Sequence, residues 1–338
     1  MRKIILPVLI SIFLISCENN KGIPDVSGIA ADIEIERFDQ AFFSIDTNNI
    51  SAGLQNVKQK HPDFYTDFMQ QVLGVNESDT SKNTLLVTRE FLRGYHSIYD
   101  SLQLMYKNTD WLKNELHKGF QYVKYYFPKY TTGKVILFLG PFDAPGIAST
   151  KSGLAIGLQQ YAGKDFSVYQ SGPGQELFPL YISRRFAPEY ISSNSMKAVV
   201  EDLFPDRSSG KPLIEQMVEK GKHWYLLDKF LPKTPDSLKT GYTKLQLDWC
   251  KENEGLIWSY LIKNEDLQSL NPTVLQTYIG DGPFTQGLSQ ELSPGNIGQW
   301  IGWQIVKKFA EKNTGMKPEE LMKTDATIIL DQAKYKPK

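Results

Sequence analysis

Apolar residues recur along most of this chain at the three-and-four spacing of an α-helix, and that periodicity restricts the fold more than any other feature. Phe91, Leu92, Tyr95, Ile98, Tyr99, Leu102 and Met105 share one stripe of a helix predicted over 84–108. Phe64, Tyr65, Phe68, Met69, Val72 and Leu73 share another, opened by His61-Pro62-Asp63 and closed by Gly74. Asp110 is expected to cap a third, with Trp111, Leu112, Leu116, Phe120, Val123 and Phe127 inward. Further helices are predicted over 195–203, 213–230, 264–270, 272–279 and 293–309, the last with Pro294 at its first position. Only three segments have strand texture: the alternating 32–38, the apolar run 134–139 broken by Gly140-Pro141, and 153–158. A small sheet among many helices predicts an α+β fold, mostly helical. No Pro/Gly/Ser linker divides it, so 32–338 is read as a single domain.

Gly298 and Gly302 stand four apart beside Trp300, Ile301, Trp303, Ile305 and Val306. Two glycines on one face permit close backbone approach, and core packing is preferred over a dimer face as the reason for them.

Composition removes whole classes. Equal numbers of basic and acidic side chains, 38 each, argue against a nucleic-acid partner. Hydrophobic content of 41% argues against disorder. Two cysteines cannot staple a chain of 338 residues.

The first cysteine has a different context. Arg2 and Lys3 precede an apolar run from Ile4 to Ile15, too short for the roughly 20 residues of a spanning helix. The run ends in Leu14-Ile15-Ser16-Cys17, a bacterial lipobox pattern. Residues 1–16 are therefore expected to be a lipoprotein signal peptide. Cys17 is expected to carry diacylglycerol, with an acyl chain such as palmitate on its amine. Residues 17–31 would be a lipidated spacer. No polybasic patch follows, so lipid rather than charge would hold the chain to a membrane. No other cofactor is expected. Cys250 is then the one remaining thiol, read as a small buried hydrophobe.

Few residues suggest chemistry. His61, His96, His117 and His223 lie outside any His-Glu-x-x-His motif, and no nucleophile elbow or phosphate-cradling loop occurs. Glu215, Glu219 and His223 stand at i, i+4 and i+8, one helix face that could offer a metal two carboxylates and an imidazole. The plainer reading is a polar stripe interleaved with Lys220 and Lys222. Glu201 and Asp202 could pair for acid/base work, or form a solvated helix face.

Several phrases together resemble one family. They are Cys17, Asp32-Ile33-Glu34-Ile35-Glu36-Arg37-Phe38-Asp39 and Lys60-His61-Pro62-Asp63-Phe64, then 157–165, 184–191 and 219–222. Leu227-Asp228-Lys229, Asp281-Gly282-Pro283-Phe284 and the most specific stretch, 293–306, complete the set. From Cys17 to about Tyr335 the chain is similar to the GldB gliding-motility lipoproteins of Bacteroidetes. The resemblance implies a cell-envelope lipoprotein, facing the periplasm, that supports gliding motility and its associated secretion machinery through other envelope proteins. It implies no particular biochemical activity.

The architecture also looks distantly similar to predicted zinc peptidases. In that comparison Val200-Glu201-Asp202-Leu203-Phe204 occupies the zinc helix, with Val200 and Phe204 where histidines belong. Glu201 is kept, and Glu219 stands where a third ligand belongs. The implication is a degenerate zincin-like domain, a pseudo-peptidase that binds a partner. Two alternatives stand beside it. One is a metal- or carboxylate-dependent hydrolase using Glu201, Glu215, Glu219 and His223. The other is a peptidoglycan-binding module, suggested by 17 Tyr and 6 Trp, although most of these sit on helix stripes.

Overall fold

A computed structural model describes residues 22–76 and 81–338. The signal peptide expected over 1–16 and Cys17 lie outside the described residues. The chain opens with β1 (Ile35–Arg37), α1 (Phe38–Phe43), α2 (Ile50–Lys60) and α3 (Pro62–Asp67). Then come α4 (Lys82–Met105), α5 (Asp110–Tyr126), β2 (Lys134–Phe138), β3 (Ile147–Thr150) and β4 (Gly153–Gly157). Short helices α6 (Ser167–Gln170), α7 (Gly172–Leu177) and α8 (Leu180–Ser183) lead to the longer α9 (Ile191–Leu203) and α10 (Leu213–Phe230). The remainder is helical: α11 (Asp236–Thr240), α12 (Lys244–Glu252), α13 (Glu254–Asn264), α14 (Pro272–Ile279), α15 (Ile297–Lys312), α16 (Pro318–Lys323) and α17 (Ala326–Ala333). The fold is α+β and mostly helical.

The sheet has the order β1-β2-β4-β3. β2 runs parallel to β1 and β4, with Ile35 opposite Val135 and Leu137 opposite Ile156. β3 is antiparallel to β4. Val135, Ile136 and Leu137 are all fully buried, which is why the central strand reads as a continuous apolar run. β1 is shorter than the alternating segment predicted it: residues 32–34 fall outside the strand, and at the other end the chain turns at Arg37 and Phe38 begins a helix. Phe38 then packs with Phe42, Phe64 and Phe68, ring centroids 4.8–5.8 Å away. β3 was invisible in the sequence. It is a half-exposed edge strand, and its Ser149 and Thr150 give no apolar alternation.

The helical periodicity translates well, with corrections at the ends. Asp110 is the first helical residue of α5 and caps nothing; its amide donates to Asn108 Oδ1 at 2.7 Å. Residues 265–270 are not helical, since α13 ends at Asn264, where the predicted helix was to begin. α15 begins at Ile297 rather than near Ser293. Asn296 adopts a left-handed backbone (φ 47°), which breaks the run and leaves Pro294 in the preceding loop.

α10 and α15 pack together more extensively than any other pair of described elements. A Cβ on Gly302 would lie 1.7 Å from the Met217 carbonyl oxygen, and one on Gly221 would lie 2.2 Å from the Gly302 carbonyl carbon. The two backbones touch, with Trp300 and Trp303 buried beside the crossing. Gly298 meets the Tyr278 carbonyl of α14 in the same way. The glycine pair read from the sequence is core packing, and Gly221 is the third member. One apolar cluster extends from Ala31 to Ala333 and includes the buried Cys250. Among the described residues no helix is long and apolar enough to cross a membrane.

Gly302→Ala should cost about 3 kcal/mol or more, because backbone cannot move aside as a side chain can. Gly94→Ala, on an exposed turn of α4 with open space around it, should gain roughly 0.5–1 kcal/mol. Denaturant midpoints of the two variants check this; a tolerated Gly302→Ala would refute the contact.

Candidate functional site

The sequence candidates meet where the end of α9 crosses α10 and the α16–α17 connection. Glu219 lies on the inner side of α10. Its Oε1 accepts from Lys211 Nζ and its Oε2 from Lys222 Nζ, both at 2.8 Å. The Lys222 side chain is only 4% exposed. Its ammonium also donates to the Thr324 carbonyl at 2.9 Å and the Met322 carbonyl at 3.4 Å. These carbonyls close α16, whose last turn leaves acceptors without helical partners. Three donors thus meet three acceptors, and the charge is compensated where it is buried. Glu215 reaches only Lys211, at 3.9 Å.

His223, one turn further along α10, borders the same cleft but pairs outside this lattice. Its Nδ1 lies 3.4 Å from Glu201 Oε2 of α9. Burial pushes the His223 imidazole below its ordinary value, against the pull of Glu201 and Asp206. Glu201 is 53% exposed, and its other oxygen accepts from the Asp206 amide at 2.8 Å. Burial alone would raise the Asp206 carboxyl, but hydrogen bonds from Lys220 and Ser208 hold it below the usual range.

A cleft of about 400 Å³ opens between the end of α9, α10 and the α16–α17 connection; Phe204, Lys211, Glu219, His223 and Asp325 line it. Glu201 is not part of that lining and reaches the cleft only through His223. Glu215, Glu219 and His223 share a helix but not a ligand position, because Glu219 is held by lysines and His223 turns to α9. Among the described residues no group of three or more His, Cys, Asp or Glu could hold a metal ion. Val200 is in the core, and Phe204 packs edge-on against Phe127 at 5.6 Å. The Cys250 thiol is pushed up by burial.

A second polar cluster was missed as a site, although its Arg185, Asp281 and Asn296 stand in the phrases that carry the resemblance. Arg185 Nη2 donates to Asp281 Oδ2 at 3.1 Å, and Asn296 Nδ2 donates to Asp281 Oδ1 at 3.0 Å. Tyr242 donates to Asn296 Oδ1 at 2.8 Å. These bonds hold Asn296 in its left-handed conformation, and Gly295 can then lie on the backbone of Gly282. The Gly163 amide donates to the Phe186 carbonyl at 2.9 Å, which joins two more of the phrases. Nearby Lys197 donates to Asn194 Oδ1 at 3.3 Å, and burial, aided by Arg185, lowers its ammonium to about 8. No spacing rule connects residues 96 positions apart, so only the resemblance could have signalled them.

Glu219→Ala should destabilise the protein by about 3 kcal/mol, since it leaves the Lys222 ammonium buried without its counter-charge. Adding Lys222→Met should recover part of that loss; thermal melts of the single and double variants decide. His223 binds its proton less tightly folded than unfolded, near 6.5. Its contribution to stability is therefore complete above that value and is lost as pH falls below about 6.5. His223→Gln should flatten this part of the stability–pH curve, and an unchanged slope would refute the assignment.

Comparison with known proteins places this geometry in a family. Residues 19–337 match the family model described as gliding motility protein GldB. No curated protein and no solved structure gives a match, so the zincin-like resemblance acquires no structural relative. The matched region spans the sheet, the α10–α15 crossing and both polar clusters. The chain belongs to the gliding motility protein GldB family.

Proposed function

We propose that this protein is a lipid-anchored envelope lipoprotein that supports gliding motility and the associated secretion machinery by binding partner proteins, without catalysis of its own. The family supplies the motility context. The observation that carries the non-catalytic reading is the state of Glu219. Both its oxygens already accept from buried or half-buried ammonium groups, so its charge is engaged within the fold before any substrate or metal arrives. Val200 and Phe204, where a zincin would place histidines, are spent on packing. A pseudo-peptidase reading is compatible with this arrangement, a working peptidase much less so. The peptidoglycan alternative draws little support from tryptophan, because two of the six Trp side chains are buried and the other four half-buried. Attachment is assigned to acylated Cys17, on the periplasmic side of a membrane.

Two measurements test this reading in a strain whose gliding depends on the protein. Cys17→Ala should leave the membrane fraction and impair gliding while the melting temperature stays unchanged; a membrane-bound, active variant contradicts the anchor. Glu201→Ala should glide normally. Loss of gliding by that variant, together with stoichiometric zinc in the purified wild type, would favour the hydrolase instead.

A further inference from the structure

The described chain nearest Cys17 runs along α5 in the opposite direction. His117 Nδ1 donates to the Ala31 carbonyl at 3.0 Å, and Gln121 Nε2 donates to the Ile29 carbonyl at 3.1 Å. Two residues back along the chain thus correspond to one helical turn forward on α5. Asp25 stays beside the second half of α5, where burial and then its charge raise the Tyr122 phenol. Five peptide steps separate Gly22 from Cys17, a reach of at most about 18 Å. An acylated Cys17 therefore keeps a bilayer close to the C-terminal end of α5.

That end reads Lys124-Tyr125-Tyr126-Phe127-Pro128-Lys129. Tyr125 is 46% exposed, and its ring meets Tyr126 edge-on at 4.9 Å. Tyr126 and Tyr225 border a shallow cavity of about 440 Å³ that also takes in Lys229 and Lys307. The Lys229 ammonium lies 4.9 Å from the Tyr225 ring centroid, and that of Lys307 lies 3.2 Å from the Trp303 ring. Glu311, the acid in the cavity, is engaged by Lys308 at 3.1 Å. Among the described residues Lys124, Lys129 and Lys229 form no ion pair, whereas the Lys307 ammonium is turned inward over Trp303, in the field of Asp228 and Asp236. Half-exposed tyrosines and lysines outside ion pairs are side chains that settle at a bilayer surface.

We infer that this face, built from the end of α5 with Tyr225 and Lys229, lies against the membrane and takes anionic phospholipid headgroups. The inference rests on the anchoring of Cys17 proposed above. The acyl chains supply attachment, and the Tyr/Lys face fixes which side of the domain turns outward. The sequence after Cys17 has no polybasic run; the fold assembles the basic surface from the end of α5 and from α10 instead.

The test uses the full lipidated chain in phosphatidylcholine vesicles with and without phosphatidylglycerol, carrying a headgroup nitroxide lipid. A thiol-reactive fluorophore is placed through Tyr125→Cys or, on the last turn of α4 ahead of the start of α5, through Leu104→Cys, an 82% exposed position. Cys250 is buried and does not compete for the label. Quenching at 125 should exceed that at 104 several-fold, more so with phosphatidylglycerol, and Lys124→Glu/Lys129→Glu/Lys229→Glu should abolish the difference. Equal quenching, or stronger quenching at 104, overturns the face. Flotation with phosphatidylcholine alone reads the anchor separately. The Cys17→Ser form at high phosphatidylglycerol keeps the two readings apart: selective quenching at 125 supports the face even where the anchor fails, and its absence there overturns the face.

Discussion

Gly221 and Gly302 let α10 and α15 meet backbone to backbone, and most of the molecule is arranged around that contact. With no side chain between them, the helices bring Met217, Val218, Trp300 and Trp303 into one core layer. α10 also receives α9, α5, α14, α16 and α17 on its other sides. A helix packed on so many faces cannot be amphipathic in the ordinary sense, and its polar side chains are forced into partly buried positions. Glu219 and Lys222 are the result: each is inside, and each is satisfied by the other and by its neighbours. The ion lattice is thus a consequence of the helix crossing rather than an independent active-site design.

The same constraint separates two kinds of residue that the sequence could not tell apart. Glu219 and Glu201 both look like free carboxylates on helices. Tertiary packing turns Glu219 into the centre of a lysine clamp and leaves Glu201 half outside, touching His223 across the gap between α9 and α10. The second cluster works similarly. Arg185, Asp281, Asn296 and Tyr242 come from four separate segments, and their hydrogen bonds pin the loop that feeds α15. The phrases that carry the family resemblance include structural fasteners of this crossing. A strong family match can therefore coexist with the lack of a complete catalytic motif.

Function, on this view, belongs to surfaces rather than to a cleft. Ile29 and Ala31 are tied to α5, which limits how far the domain can stand from any lipid on Cys17. The proposed membrane face and the remaining surface then have distinct roles, one toward lipid and one toward partners.

The sequence by itself determined the helical content, the position of most long helices, the central strands and the family. Those properties depend on local periodicity and on contiguous phrases, both of which a single chain displays directly. It also marked Gly298 and Gly302 as a packing site, because a four-residue glycine spacing has meaning only at a close approach. Only the tertiary structure decided the partner glycine, the half-exposed β3, the late start of α15 at a left-handed Asn296, and the pairing of every candidate acid. Each of these depends on a contact between residues far apart in the chain, and neither charge nor periodicity encodes which distant group will be the neighbour.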